Sequence, residues 1–402
     1  MIKRVLNHYN KDFLLFILCS MFIGIGMGIY DTTFNNFLDK TYDITAFMRG
    51  LTEFPREFPG FFVVLISFSV FHFLGDIRLA IFANIVAAVG FMGMGFFSPS
   101  YGVLMAWLFI QSSGVHIYLP LTSSIGMSLS DGKKDGSVLG TFQAITTAAT
   151  VVGCSIIWLG FRYMNFSYQI TFTIAAVAMA CAAVGFMFMT RSVYQPRKTK
   201  VLLKRKYSLF YWLNILYGAR KQVFMTFGPW VLIKIFNQDV EIFAILGIVG
   251  SMVGVFFKPM LGKLIDLLGE KLILAAEAVI LVFVCIGYGF SEKMGLGSYG
   301  IYLAYVCFII DQMLMGVSMA RATYVKKIAD EPGDISPTIA MGVSIDHAVA
   351  MTMPFIGGIV WTRFGYEYVF LCAAAIAVIN FISVLRIKIP TQRPADVVEN
   401  AA

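Results

Sequence analysis

Twelve separate stretches of this 402-residue chain are apolar for about 20 residues or more, and no other feature constrains its fold as strongly. A bilayer core of about 30 Å needs about 20 residues of helix at 1.5 Å each, and backbone inside lipid must satisfy its own hydrogen bonds. The stretches are 13–37, 47–74, 79–97, 101–129, 138–160, 168–190, 209–234, 241–262, 271–290, 301–322, 337–361 and 367–386. Connections as short as Ser98-Pro99-Ser100 force neighbouring spans into antiparallel hairpins. An all-α membrane protein with twelve transmembrane helices is expected. Only 13% of residues are charged, about half the share in soluble domains, and 58% are hydrophobic, which also excludes disorder. The runs do not alternate with period two, which excludes an outer-membrane barrel.

The net charge of +8 finds its explanation in topology. With the N-terminus placed inside, 22 of the 31 Lys and Arg fall in inner segments and 6 in outer ones, Arg49 among the outer and Arg321 among the inner. Cytoplasmic loops carry the excess of cations, so both termini are expected in the cytoplasm of an inner-membrane protein. No soluble domain carries a basic patch, so nucleic acid is not an expected partner. The run 191–208 holds seven cations and no acid, and reads as a linker or a lipid-headgroup site. Cys19, Cys154, Cys181, Cys285, Cys307 and Cys372 all lie in apolar runs without CxxC spacing, so neither a disulfide framework nor a metal site is expected. No phosphate loop or cofactor motif occurs, and no enzymatic activity is expected.

The chain repeats its own plan. Phe166-Ser-Tyr-Gln-Ile-Thr-Phe172 opens span six and Phe364-Gly-Tyr-Glu-Tyr-Val-Phe370 opens span twelve, identical at three of seven positions. Leu74-Gly75-Asp76-Ile77-Arg78 follows span two and Leu264-Ile265-Asp266-Leu267-Leu268 follows span eight. Two six-helix halves are expected, 1–190 and 209–389, around a basic linker at 191–208 and before a cytoplasmic tail at 390–402. Such parallel repeats are a recurring transporter plan, with the substrate held near the midplane where the halves meet.

Gly262-Lys-Leu-Ile-Asp-Leu-Leu-Gly-Glu-Lys271 resembles the loop motif of the major facilitator superfamily between spans eight and nine. The first-half copy around His72 and Asp76 keeps the Leu and Asp only, and Pro354-Phe-Ile-Gly357-Gly358 resembles the family's P-x-x-G-G packing motif. The resemblance implies a monomeric secondary transporter working by alternating access on a small-molecule substrate, with spans one, four, seven and ten lining the cavity. It also implies an inner gate at Asp76, Arg78, Gly262, Asp266, Gly269 and Lys271. The basic residue that many family antiporters carry early in span four is missing near Ile110-Gln111. Val152-Gly153-Cys154 stands where drug antiporters have a Gly-Pro motif in span five, which argues against drug/proton antiport.

Ionisable groups inside a bilayer are costly, so each is a functional candidate. Arg220 and Lys221 near the middle of span seven are candidate substrate residues, with Gln111, His116, Asp311, Asp346 and His347. Adjacent helical residues point about 100° apart, so Arg220 and Lys221 are not expected to share the cavity. Gly228-Pro229 is expected to break or kink span seven. Asp31, Glu53, Arg56 and Glu57 form a candidate proton-coupling site or outer gate; a self-neutralising cluster is the other reading. Glu277 reads as a packing or lipid-side charge. The expected activity is transport of a small organic anion or zwitterion, coupled to protons. Export of amphipathic compounds, or a sensor or lipid-handling role without translocation, are the alternatives.

Overall fold

A computed structural model describes residues 11–66, 75–129, 135–190 and 203–388, and every regular element among them is helical. The first expected span is α1 (Lys11–Tyr42), and the second is α2 (Ala46–Leu51) followed by α3 (Glu53–Ile66). Then come α4 (Asp76–Phe96), α5 (Tyr101–Ser128), α6 (Asp135–Tyr163) and α7 (Tyr168–Met187). The rest of the chain forms α8 (Ser208–Lys234), α9 (Val240–Leu268), α10 (Glu270–Phe290), α11 (Gly300–Leu314), α12 (Ser318–Ile328), α13 (Pro332–Phe364) and α14 (Tyr366–Leu385). Ten helical stretches among the described residues are long and apolar enough to cross a membrane, with α11 and α12 counted together. The other two expected spans are α8, which carries Arg220 and Lys221 at its centre, and the short pair α2–α3. The expected residues before Gly75, the linker cations at 191–202 and the tail at 390–402 lie outside the described residues.

Local chemistry explains the boundaries. Thr45, Ser100 and Ser167 each accept a backbone N–H from three residues on, capping α2, α5 and α7. Pro55 has no N–H for the Leu51 carbonyl, and α2 gives way to α3 at Thr52. Gly269 (φ +80°) and Gly365 (φ +109°) supply the turns from α9 to α10 and from α13 to α14. Two expectations about continuity are corrected. Span seven does not break at Gly228-Pro229: α8 is continuous there, and the Tyr288 hydroxyl donates to the Gly228 carbonyl at 2.6 Å. Span ten, expected as the single stretch 301–322, is interrupted between α11 and α12 by a 3₁₀ turn at Met315–Val317.

Within the first part, α1 packs on α6 and α7, and α4 on α5 and α7. In the second, α8 packs on α13 and α14, and α10 on α14. The repeated Phe-containing segment plays the same part in each. A β-carbon at Gly95 of α4 would stand 3.2 Å from that of Phe172, and one at Gly289 of α10 would stand 2.7 Å from that of Phe370. Small residues let helices approach where lipid offers no hydrophobic drive.

The two parts meet chiefly through α13 against α2 and α3, and through α9 against α6. The P-x-x-G-G residues lie in that seam. A β-carbon at Gly358 would stand 2.8 Å from Phe47 Cα and 2.9 Å from the Ala46 carbonyl, while Gly50 faces the Pro354 carbonyl. At the end that the cation count assigns to the outside, Lys234 bridges Asp39 (2.5 Å) and Asp43 (3.0 Å), and Lys40 pairs with Asp239 at 3.2 Å. Asn36 donates to the Gln238 carbonyl there at 3.0 Å. At the other end Asp334, at the start of α13, accepts from Lys204 (2.5 Å) and Tyr207 (2.7 Å). That bond to Asp334 raises the Lys204 ammonium above its ordinary value.

Candidate functional site

A cavity of about 450 Å³ lies between the two parts, walled by residues of α1, α3, α6, α8, α9 and α11. Asp31, Arg56, Asp311 and Gln312 are among its polar groups, and Phe224 and Phe308 are among its aromatic walls. The 3₁₀ turn reaches it too, through Met315, whose carbonyl accepts from the Tyr217 hydroxyl at 3.4 Å.

Four polar groupings lie inside the bundle, and their charges reach this space only through Arg56 and Asp311; each neutralises charge that would otherwise be costly in lipid. Around Glu53, fully buried, Arg49 approaches to 2.5 Å and Arg56 to 3.1 Å on one carboxylate oxygen, while Gln222 of α8 donates to the other at 2.8 Å. Arg49 also donates to Asn35 of α1 at 2.9 Å. One turn along α3, Glu57 lies 3.8 Å from Arg56 and 2.9 Å from Nδ1 of His347 on α13. His116 of α5 stands beside His347, with ring centroids 5.1 Å apart.

The third grouping lies wholly in the second part of the chain. Arg220 pairs with Asp311 and stands 4.0 Å from Glu277 of α10; Glu277 lies 3.7 Å from Arg321 of α12. The Arg321 guanidinium lies over the Tyr217 ring at 3.6 Å, a cation–π contact. The fourth is Lys221 paired with Asp346 of α13. Asp31 faces the cavity without an ion pair or hydrogen bond to its carboxylate among the described residues.

A family model described as the Major Facilitator Superfamily matches residues 58–345. The chain belongs to the Major Facilitator Superfamily. Several hundred solved chains share its fold. The nucleoside transporter NupG superposes with a TM-score of 0.75 at 14% identity, over 94% of this chain and 99% of that one. A bacterial homologue of the human lysosomal transporter Spinster, inward-facing and occupied, superposes with a TM-score of 0.68 at 13% identity, over 93% and 95% of the two chains. No curated protein sequence matches this chain. Membership makes the protein a multi-pass membrane transporter.

Within this superfamily member, the residues singled out from sequence fall into distinct places. Asp31, Arg56 and Asp311 line the cavity, whereas Arg220 and Lys221 do not; their charges face Asp311 and Asp346. Gln111 is buried with its backbone against Gly90 of α4, away from the cavity. His116 and His347, far apart in sequence, come together with Glu57. Of the loop residues, Asp76 accepts from Ser124, and Arg78, Lys271 and Asp266 are exposed. Asp266 forms no hydrogen bond or ion pair among the described residues, Gly262 borders open space, and Gly269 turns the chain.

Sequence reasoning missed two cations. Arg49 and Arg321, counted with the loops, are 0% and 3% exposed, and Glu277 pairs with Arg321 and Arg220 inside the bundle. The spacing of Arg49 to Glu53, one helical turn, is a readable signal. No comparable signal marks Gln222, which reaches Glu53 from 169 residues away in sequence.

Proposed function

We propose that the protein is a proton-coupled secondary transporter that carries a small organic anion or zwitterion by alternating access. Its two halves, 1–190 and 209–389, would rock about the cavity, with both termini in the cytoplasm of the inner membrane. Under that orientation the ion pairs of Lys234 and Lys40 shut the outer end, and the structure described is an inward-facing state. Asp266 without a partner fits a latch that engages only when the inner end closes.

One observation carries the substrate reading: the cavity presents a carboxylate, Asp31, and a guanidinium, Arg56, among phenylalanine walls. A zwitterion offers Arg56 its carboxylate and Asp31 its amine. The midplane cations Arg220 and Lys221 are held by Asp311 and Asp346, which favours a zwitterion over a multiply charged anion. Asp31 is also our candidate for the coupling proton. Its charge can change without breaking an ion pair, whereas Glu53 is fixed by two guanidiniums and an amide.

A second reading rests on the same walls. Phe34, Phe224, Phe243 and Phe308 with Gln312 suit a neutral polar ring, and the NupG likeness makes a nucleoside the obvious case. Competition in proteoliposomes separates the two. Excess amino acids and short carboxylates should suppress uptake of a labelled zwitterion, with nucleosides inert; suppression by nucleosides alone would reverse the assignment.

A further inference from the structure

We propose that Glu57, His116 and His347 form a binding site for a divalent transition-metal ion of the zinc type, bridging α3 and α5 to α13. One ligand atom from each residue lies within 4.8 Å of the other two. Two imidazole nitrogens and one carboxylate oxygen are the donors that zinc and its neighbours prefer, with positions left open for water. Tetrahedral zinc with bonds of about 2.0–2.1 Å sets donors about 3.3 Å apart, so the three need close by no more than about 1.5 Å through side-chain rotation.

Independent features prepare the three side chains for an ion. Nδ1 of His116 is engaged by Ser112, 2.9 Å from its carbonyl and 2.9 Å from its hydroxyl. Donation to the carbonyl leaves Nε2 with its lone pair free, the arrangement that metal-bound histidines adopt. Ser112 is itself anchored, since its hydroxyl donates to the Arg56 carbonyl. Gly60, one turn below Glu57, leaves the space in which the rings converge. A β-carbon there would stand 2.5 Å from His116 Cδ2 and 2.6 Å from His347 Cε1. Cδ2 of His116 and the Cε1–Nδ1 edge of His347 therefore converge directly above a residue that has no side chain.

The charges around the site permit a cation. Arg56 lies 3.8 Å from Oε1 of Glu57 and is shared with Glu53, while Oε2 faces His347. Lys221 is held by Asp346. A metal at Oε2 would displace the His347–Glu57 hydrogen bond and replace it with two coordinate bonds across the same seam. The consequence rests on the alternating-access reading: an ion bridging spans two and eleven opposes their separation and slows exchange.

Purified full-length protein, stripped of metal, should bind one Zn²⁺ per chain by calorimetry, unaffected by excess Mg²⁺. Co²⁺ should give the visible absorption of a four- or five-coordinate ion. His116→Ala and His347→Ala should each abolish both signals. Ser112→Ala, a milder change that keeps all three ligands, should weaken binding by about tenfold or more. Absence of saturable Zn²⁺ binding to the parent protein, or binding unchanged in His116→Ala and His347→Ala, overturns the site. Zn²⁺ should also slow substrate exchange by the parent protein and not by His116→Ala; bound Zn²⁺ with undiminished exchange overturns the clamp, whatever the substrate proves to be.

Discussion

Removing the Asp311 carboxylate would leave the Arg220 guanidinium buried with only Glu277, 4.0 Å away, to balance it. Breaking one side of such a pair costs about 3–5 kcal/mol, whereas replacing both partners by apolar residues is often neutral. Asp311→Leu is therefore expected to lower thermal stability in detergent sharply, and Arg220→Met with Asp311→Leu to recover most of the loss. A double variant no more stable than the single one would show that the pair is not the unit. At the same scale Asp31→Asn is expected to weaken zwitterion binding, since Asp31 takes the amine, and to leave the residual exchange without accumulation driven by a pH gradient. Full pH-driven accumulation in that variant would place coupling elsewhere. These roles were partly legible in the sequence. The depth of Arg220, Lys221, Asp311 and Asp346 within their spans marked them as costly, hence meaningful. Which acid each cation meets depends on helix rotation and neighbour choice, which no local pattern encodes. Arg49 and Arg321 were misplaced because counting cations at helix ends cannot tell a loop residue from one folded back into the bundle.

Helices here are shaped by a few residues whose backbone chemistry is specific. Gly358 lets α13 lie against the start of α2, and a methyl group there has no room. Gly358→Ala should therefore open that end, read as increased labelling of a cysteine placed at Phe47; unchanged labelling would mean the seam yields without separating. Gly269 sits at φ +80° and ψ 159°, a region only glycine occupies readily. Gly269→Ala should destabilise the protein by about 1–3 kcal/mol, measured as a fall in Tm, because the α9–α10 turn must strain. The break in span ten shows the limit of reading such effects from sequence. The stretch around Met315–Val317 contains Gly316 but no proline, and the Tyr217 hydroxyl at the Met315 carbonyl comes from another helix. The Gly228-Pro229 pair does not break α8, and the Tyr288 hydroxyl donates to the Gly228 carbonyl there.

At the scale of the whole molecule, run length and internal repetition carried the fold, because lipid permits so few alternatives. The packing of Phe172 on Gly95 and of Phe370 on Gly289 repeats one contact in both parts of the chain. The cavity was harder to foresee, since its charged lining combines α1, α3 and α11, and which charge pairs with which is written in no local pattern. Transport itself is the central claim, and counterflow in proteoliposomes tests it most directly. Vesicles loaded with an unlabelled zwitterion and diluted into labelled solute should show transient uptake above equilibrium for the parent protein, and none for Arg56→Gln of intact fold. Binding of the solute without any trans-stimulated uptake by the parent protein would contradict the account.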